Sequence, residues 1–187
     1  MSVMSDLMDE LEEKMMNAED AMQRDFQAIR TGKASTALVE SLQVPYYGQM
    51  SRLKDIAGLS TPDPRTIAIQ PWDKSALKAI EKAILDSQIG ITPINNGTVI
   101  RLPIPPLTQE RRQQLSKQVK ARSEDGKVQI RNIRRDGNEA VKKAEKDGDI
   151  TEDERKEALD QIQKLTDDYI KQLDSLAADK EKDLMTF

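Results

Sequence analysis

The residues of this sequence with the clearest chemical potential are cations gathered in one stretch. Lys120, Lys127, Arg131 and Arg134 follow one another at spacings of seven, four and three residues, which places them along one face of a helix, and Arg135 flanks that face. The planar guanidinium of arginine donates paired hydrogen bonds to phosphate and stacks on bases. The cluster therefore predicts a surface that binds a polyanion.

We interpret the ligand of this surface as folded RNA, contacted through its backbone. Aromatic residues make up only 3% of the chain, which disfavours a platform that stacks the bases of single strands. Recognition of phosphates and helical shape needs only cations. The alternative is a solvated face whose cations pair with Glu124, Asp125 and Asp136. Three arginines within residues 131–135 favour RNA binding over that alternative.

Catalytic and metal-binding chemistry finds little support. The chain has no histidine and no cysteine, which removes Ser-His and Cys-His pairs and the commonest metal ligand. Gly32-Lys33 is similar to the end of a phosphate loop, but that loop requires glycine where Gln27 stands. The acidic run 147–154 has Ala158 where an EF-hand needs its last glutamate. We therefore predict no enzyme activity, no catalytic residue, no metal site and no cofactor.

The cluster lies in residues 108–146, a proline-free stretch whose apolar residues recur every three or four positions. This spacing predicts a helix roughly 60 Å long. Its twelve basic and six acidic residues give it a net charge of +6, against −10 for the rest of a chain whose total is −4. Gly126 and Gly137 each cost such a helix about 1 kcal/mol relative to alanine, so we expect a neighbouring helix to approach closely there.

Two further amphipathic helices must support it. Residues 2–30 carry a methionine-rich apolar stripe that ends near Gly32, which can supply a left-handed C-cap. Thr151 and Glu154 form a capping box that opens the last helix. None of the three helices can bury its stripe alone, so residues 1–30 and 105–187 predict an antiparallel three-helix bundle that carries the RNA-binding surface. We interpret the methionine stripe as core, with a groove for a partner as the alternative.

Between the first two helices the pattern changes to strands and turns. Alternation over residues 42–46, a β-branched run at 66–70, and two runs flanking Asn96-Gly97 predict strands, with a helix after Asp73. Residues 31–104 thus predict an inserted α+β domain. Two short stretches of chain connect it to the bundle as a hinge. The hinge residues are Arg30, Thr31, Gly32, Lys33, Pro103, Pro105 and Pro106.

The chain shows no sign of a membrane or export segment. No run approaches eighteen apolar residues, and the acidic N-terminus lacks the apolar segment of a secretory signal and any transit peptide. We expect an intracellular protein without a membrane partner.

Several motifs, spread in order over the whole chain, resemble the ribosome recycling factor family. They are Arg30-Thr31-Gly32-Lys33-Ala34-Ser35, Tyr46-Tyr47-Gly48, residues 105–112, residues 131–136, residues 163–167 and the ending 179–187. The resemblance implies an α+β protein in which a β/α/β domain stands at right angles to a three-helix bundle. Such an L-shaped molecule is near tRNA in shape and size.

The resemblance also implies a non-enzymatic translation factor, which we expect to be a monomer in the bacterial cytoplasm. Family members bind the large subunit of the post-termination ribosome, which holds mRNA and deacylated tRNA. With elongation factor G and that factor's GTP hydrolysis, they split the subunits for reuse. By motif match, Arg131, Arg134 and Arg135 are the implied rRNA anchors, with Arg30 and Arg112 as lesser ones.

Some residues depart from the family pattern. Lys33 stands where many members have arginine, Gly137 stands where alanine is common, and the segment 70–73 is unusual. The alternative function is a helical protein-interaction module that does not bind RNA. The salt dependence of binding distinguishes the two functions, because RNA contact through arginines weakens steeply with ionic strength whereas apolar docking does not.

Overall fold

The computed structural model describes residues 3–186 and separates into two compact units. One unit joins the residues up to Arg30 with those from Gln109 onward, and the other is Thr31–Thr108. Each unit has a hydrophobic core of its own. The second boundary lies slightly later in the chain than the sequence pattern placed it.

The first unit is a bundle of three long helices, numbered here with all helices of the chain. They are α1 (Val3–Ala28), α4 (Gln109–Lys146) and α5 (Glu152–Met185), and each packs against the other two. The predicted stripes form the core. Its fully buried or nearly buried side chains are Leu11, Met15, Met22, Phe26, Leu115, Val119, Ile130, Val141, Ile162, Tyr169, Leu173 and Leu184.

The expected close approach at Gly126 is confirmed. A Cβ atom there would lie 3.2 Å from Sδ of Met22 and 3.3 Å from Cδ1 of Leu173. Both distances are tighter than ordinary contact. The glycine therefore lets α4 approach α1 and α5 together.

The approach at Gly137 is closer still. Its Cβ atom would lie 2.6 Å from Cδ1 of Leu11 and 3.4 Å from Cδ1 of Ile162. Along α4, position 126 meets later residues of α1 and α5, and position 137 meets earlier ones. That order makes α4 antiparallel to both, as the sequence pattern predicts.

The ends of the helices follow local chemistry. Thr151 caps α5, since the backbone N–H of Glu154 donates to its Oγ1 at 3.2 Å while the N–H of Thr151 donates to Oε2 of Glu154 at 2.7 Å. The predicted capping box is thus confirmed. The first helix ends at Ala28 and not at residue 30. Gly32 does have a positive φ of 79°, but it lies beyond the helix end and is not its cap.

The second unit contains a hairpin and a four-stranded antiparallel sheet. One short and one longer helix complete the unit. The elements are β1 (Gln43–Tyr46), β2 (Gln49–Arg52), α2 (Leu53–Ile56), β3 (Ala57–Asp63), β4 (Thr66–Pro71), α3 (Leu77–Asp86), β5 (Ile94–Asn95) and β6 (Ile100–Pro103). The hairpin pairs β1 with β2, and the sheet has the order β3-β4-β6-β5.

The core of this unit is built on the central strands. Ile67 lies opposite Leu102 and Ile69 opposite Ile100, and all four side chains are fully buried. Ile80 and other apolar residues of α3 join the same cluster. The pairing of aliphatic residues across neighbouring strands on the buried face stabilises the sheet.

Three local expectations were wrong or incomplete. The pattern did not reveal β3, which is rich in small and polar residues and largely exposed, because its strand conformation comes from pairing with β4. Of the two strands expected to flank Asn96-Gly97, the first is only the two residues of β5. Asp73 does cap a turn, accepting from the N–H of Ser75 at 2.9 Å, and the helix α3 expected after it begins at Leu77.

Candidate nucleic-acid interface

Most of the cations predicted to bind RNA lie on α4, whose buried apolar stripe holds it against two other helices. The structure divides the main group into two sets with different partners. We call Lys120 and Lys127 the lysine end, and Arg131, Arg134 and Arg135 the arginine end.

At the lysine end, Lys127 is engaged by two carboxylates. Its Nζ lies 2.7 Å from Oε1 of Glu124 on the same helix and 2.9 Å from Oδ1 of Asp174 on α5. The side chain is only 15% exposed. The hydrogen bonds to Glu124 and Asp174 raise the pKa of Lys127 above its ordinary value. Its charge is therefore already compensated within the protein.

Lys120 points to the same groove between α4 and α5. Its Nζ lies 4.0 Å from Oε2 of Glu181, and its side chain is 67% exposed. This contact is long and open to solvent, so it is weaker than the pair at Lys127. The groove that both lysines line has a volume of about 230 Å³.

The arginine end has amide partners instead. Nη1 of Arg134 donates a long hydrogen bond, 3.5 Å, to Oε1 of Gln163 on α5. Nε2 of the same glutamine donates to Oδ1 of Asp167 at 2.8 Å, which orients the amide oxygen toward the arginine. Nη2 of Arg135 donates to the side-chain oxygen of Asn132.

Within residues 3–186, no ion pair joins Arg131, Arg134 or Arg135 to a carboxylate. An amide holds a guanidinium in place without neutralising it, so three positive charges remain on about one and a half turns of helix. This arrangement suits the paired acceptors of phosphate groups.

The alternative, in which acidic residues of α4 neutralise the cations of the same helix, holds only in part. Of the three acidic residues it invoked, Glu124 pairs with Lys127. Asp125 and Asp136 form no ion pair in the described part of the chain. The remaining compensation comes from α5, which a pattern along one helix does not reveal.

The two lesser cations lie apart from this surface in the chain. Arg112 is half-buried near the start of α4, and Arg30 is exposed just after α1. Both take part in polar interactions. Sequence reasoning also missed Arg122, whose Nε donates to Oδ2 of Asp25 at 2.5 Å and ties α4 to α1.

The predicted hinge residues fall beside the two boundaries between the units. The inner ends of both connecting stretches are fixed to one turn, because the N–H of Ala34 donates to the carbonyl of Pro64 and the N–H of Ile104 to that of Arg65, each at 2.7 Å. Pro103, which we assigned to the hinge, lies inside β6 opposite Thr66. Pro105 and Pro106 lie outside any helix or strand.

The described residues meet the requirements of neither a metal site nor a membrane-spanning helix. Residues 3–186 contain no group of three or more acidic, histidine or cysteine side chains placed to hold a metal ion. None of the helices described combines the length and the apolar character that crossing a membrane requires.

Comparisons with known proteins agree with the architecture. The family model described as Ribosome recycling factor matches residues 22–185. The Ribosome-recycling factor of Synechococcus sp. (strain JA-2-3B'a(2-13)) is 55% identical over 177 residues, covering 95% of this chain and 97% of that protein. A solution structure of the ribosome recycling factor matches with a TM-score of 0.78 and 39% identity, over 100% of both chains.

A further solved structure places such a factor in a complex. It comprises models for the T. thermophilus ribosome recycling factor and the E. coli elongation factor G bound to the E. coli post-termination complex. The matched chain has a TM-score of 0.63 and 42% identity, and the match covers 100% of both chains. From its sequence, its helices and its small β domain, this chain belongs to the ribosome recycling factor family.

Proposed function

We propose that this protein binds the post-termination ribosome through the arginine end of α4. Together with elongation factor G, it then separates the two subunits so that they can be used again. The observation that carries the proposal is three arginines on one face of a packed helix, without a carboxylate partner in the described part of the chain. The chain itself catalyses no reaction in this scheme, because GTP hydrolysis belongs to the elongation factor.

The ligand we propose for the arginine end is the backbone of large-subunit rRNA. Contact between guanidinium groups and phosphates releases condensed counterions, so binding should weaken steeply as salt rises. The helix is held on two sides by α1 and α5, and little entropy is lost when its side chains meet a fixed RNA shape. Arg30 and Arg112 are proposed as secondary contacts.

The proposal is tested by pelleting the protein with post-termination ribosomes over a salt series. Arg134→Ala should weaken binding by about 1.5–3 kcal/mol, the range for a hydrogen bond to a charged group. Arg24→Ala is a matched control, because Arg24 is an exposed arginine on α1, and it should leave binding nearly unchanged. Equal effects of the two substitutions, or no effect of either, would contradict the proposal.

We also propose that residues 30–33 together with Pro105 and Pro106 act as a hinge during splitting. The backbone hydrogen bonds that hold Ala34 and Ile104 to one turn support this proposal. They confine flexibility to the short stretches between those two residues and the bundle. Replacing Gly32 by proline is a poor test, because its φ of 79° is incompatible with the proline ring.

Loosening the other stretch is a better test of the hinge. In the double variant Pro105→Gly/Pro106→Gly, two residues with fixed φ become permissive. We expect ribosome binding by pelleting to persist while subunit splitting with elongation factor G, followed by light scattering, becomes slower. If both activities fall by the same factor, the separation of anchor and hinge is wrong.

The alternative of a protein-interaction module without RNA binding rested on the methionine stripe of α1. Met15 and Met22 are fully buried in the bundle, which confirms that this part of the stripe is core. The first turns of α1 differ, because Met4 and Met8 are only partly buried. We therefore keep RNA binding as the proposed function. Within the stripe of α1 as the structure describes it, Met4 and Met8 are the methionines that a partner can reach; Met16 is exposed too, but it lies off the stripe.

A further inference from the structure

A groove opens at the end of the bundle where α1 begins and where α4 turns into α5. Its volume is about 710 Å³. We call it the tip groove. Apolar side chains form its floor, with Met4 and Met8 from α1, Ile150 from the turn and Ala158 from α5. Ile150 and Ala158 also belong to the bundle core, so their part of the floor is a fixed surface.

Carboxylates surround this floor. Asp9 of α1, Asp149 of the turn and Glu157 of α5 all line the groove and are exposed. Glu154 lines it as well but is already used in the capping box. Among the described residues that line the tip groove, none is basic.

The helices that contribute these carboxylates are acidic overall. The segment α1 carries eight acidic and two basic residues, and α5 carries eleven acidic and six basic residues. The tip groove therefore lies in a negative field, although the bundle's third helix is positive. A second copy of this chain that docked groove to groove would bring the same carboxylates against the first.

We infer that the tip groove binds a lysine- or arginine-rich protein segment that also carries apolar side chains. The cations of such a segment meet the carboxylates of Asp9, Asp149 and Glu157, which steer and orient it. Of these, Glu157 also accepts a hydrogen bond at Oε1 from Nε2 of Gln161, at 3.3 Å. Its apolar side chains rest on Met4 and Met8, whose flexible thioethers adapt to ligands of irregular shape. The inference assigns a second surface to the bundle, formed by residues other than those proposed to bind RNA.

The test uses the full chain labelled with ¹³C at its methionine methyl groups. The probe is a short synthetic peptide of lysines interrupted by two leucines. On titration, the NMR signals of Met4 and Met8 should shift. Those of Met22, which is buried in the core, and of Met50, which is exposed in the second unit, should stay in place.

Matched variants then locate the contact. Glu157→Lys should weaken binding of the peptide at least about tenfold, because it reverses one of three charges around the floor. Asp168→Lys makes the same charge change at an exposed position of α5 that does not line the groove, and it should alter affinity less than about twofold. The Tm of each variant, compared with that of the wild type, serves as the control that both are folded.

Several results would overturn the inference. It fails if the two charge reversals act equally, or if a peptide of lysines alone binds as tightly as the one containing leucines. It also fails if the Met4 and Met8 signals do not shift when the peptide is added, or if they shift with protein concentration alone. The last result would assign the groove to a second copy of this chain.

Discussion

The lysine end and the arginine end of α4 are both cationic and belong to one predicted surface of the helix, yet the structure gives them different neighbours. Lys127 contacts Glu124 and Asp174, whereas Arg134 contacts the amide of Gln163. A phosphate that approached Lys127 would have to replace carboxylates already in place. One that approaches Arg134 adds a charged partner where only an amide stood. The number of cations on a helix is therefore a poor measure of the charge available to a ligand.

The largest expected effect separates the two ends directly. Replacing Arg131, Arg134 and Arg135 together by alanine should weaken ribosome binding at least about a hundredfold, since each charge-assisted hydrogen bond contributes about 1.5–3 kcal/mol and the losses are not fully additive. Replacing Lys120 and Lys127 together should change affinity less than about threefold. Quantitative pelleting over a salt series measures both.

The salt dependence gives an independent check on that pair of variants. The slope of log affinity against log salt should fall by roughly 0.7–0.9 for each phosphate that a variant no longer neutralises. The arginine variant should lose most of the slope and the lysine variant little. Similar slopes for the two would show that both ends meet RNA equally.

Gly126 lies beside the lysine end and Gly137 beside the arginine end. Replacing each by alanine should reduce stability more where the added Cβ would lie closer to its neighbours. Gly137→Ala forces a Cβ to within 2.6 Å of Leu11, so overpacking of about 1–3 kcal/mol should outweigh a gain of about 1 kcal/mol in helix propensity. Gly126→Ala meets contacts of 3.2 and 3.3 Å and should be close to neutral. Urea unfolding measures both, and a Gly137→Ala protein more stable than wild type would contradict the packing described.

A smaller effect on ribosome affinity should come from giving Arg134 a carboxylate partner like those of Lys127. Gln163→Glu places a carboxylate where Arg134 now meets an amide oxygen, which should lower ribosome affinity about fivefold to tenfold, or about 1 kcal/mol. Gln172→Glu adds the same charge at another exposed position of α5 and serves as the control. Equal losses would indicate a general effect of net charge.

The smallest effect is the reverse conversion. Asp174→Asn removes one of the two partners of Lys127, which should raise ribosome affinity about twofold and reduce stability by less than about 1 kcal/mol. Because its partners raise the pKa of Lys127, the stabilisation is complete below the ordinary lysine pKa and is lost as pH rises through the higher folded value. The difference in Tm between wild type and variant should thus shrink above the ordinary lysine pKa. A constant difference would show that Lys127 does not titrate as described.

Much of the fold was predictable because its determinants are local. The three helices follow from apolar spacing, and the start of α5 follows from Thr151 and Glu154, which lie within one turn. The close approaches at Gly126 and Gly137 were suggested by the sequence, since a neighbouring helix would account for glycines that cost helix stability. The strand β3 was not, because its small and polar residues adopt that conformation through pairing with β4.

Apolar spacing along the chain is enough to place α4 and the cations on it. Which of those cations keep their charge available depends on how the helices pack. That outcome depends on the rotation and register of α5 against α4, which bring Asp174 to Lys127 and Gln163 to Arg134. Both partners lie far away in the chain. Their placement results from packing the buried stripes of all three helices, and no spacing along one helix encodes it.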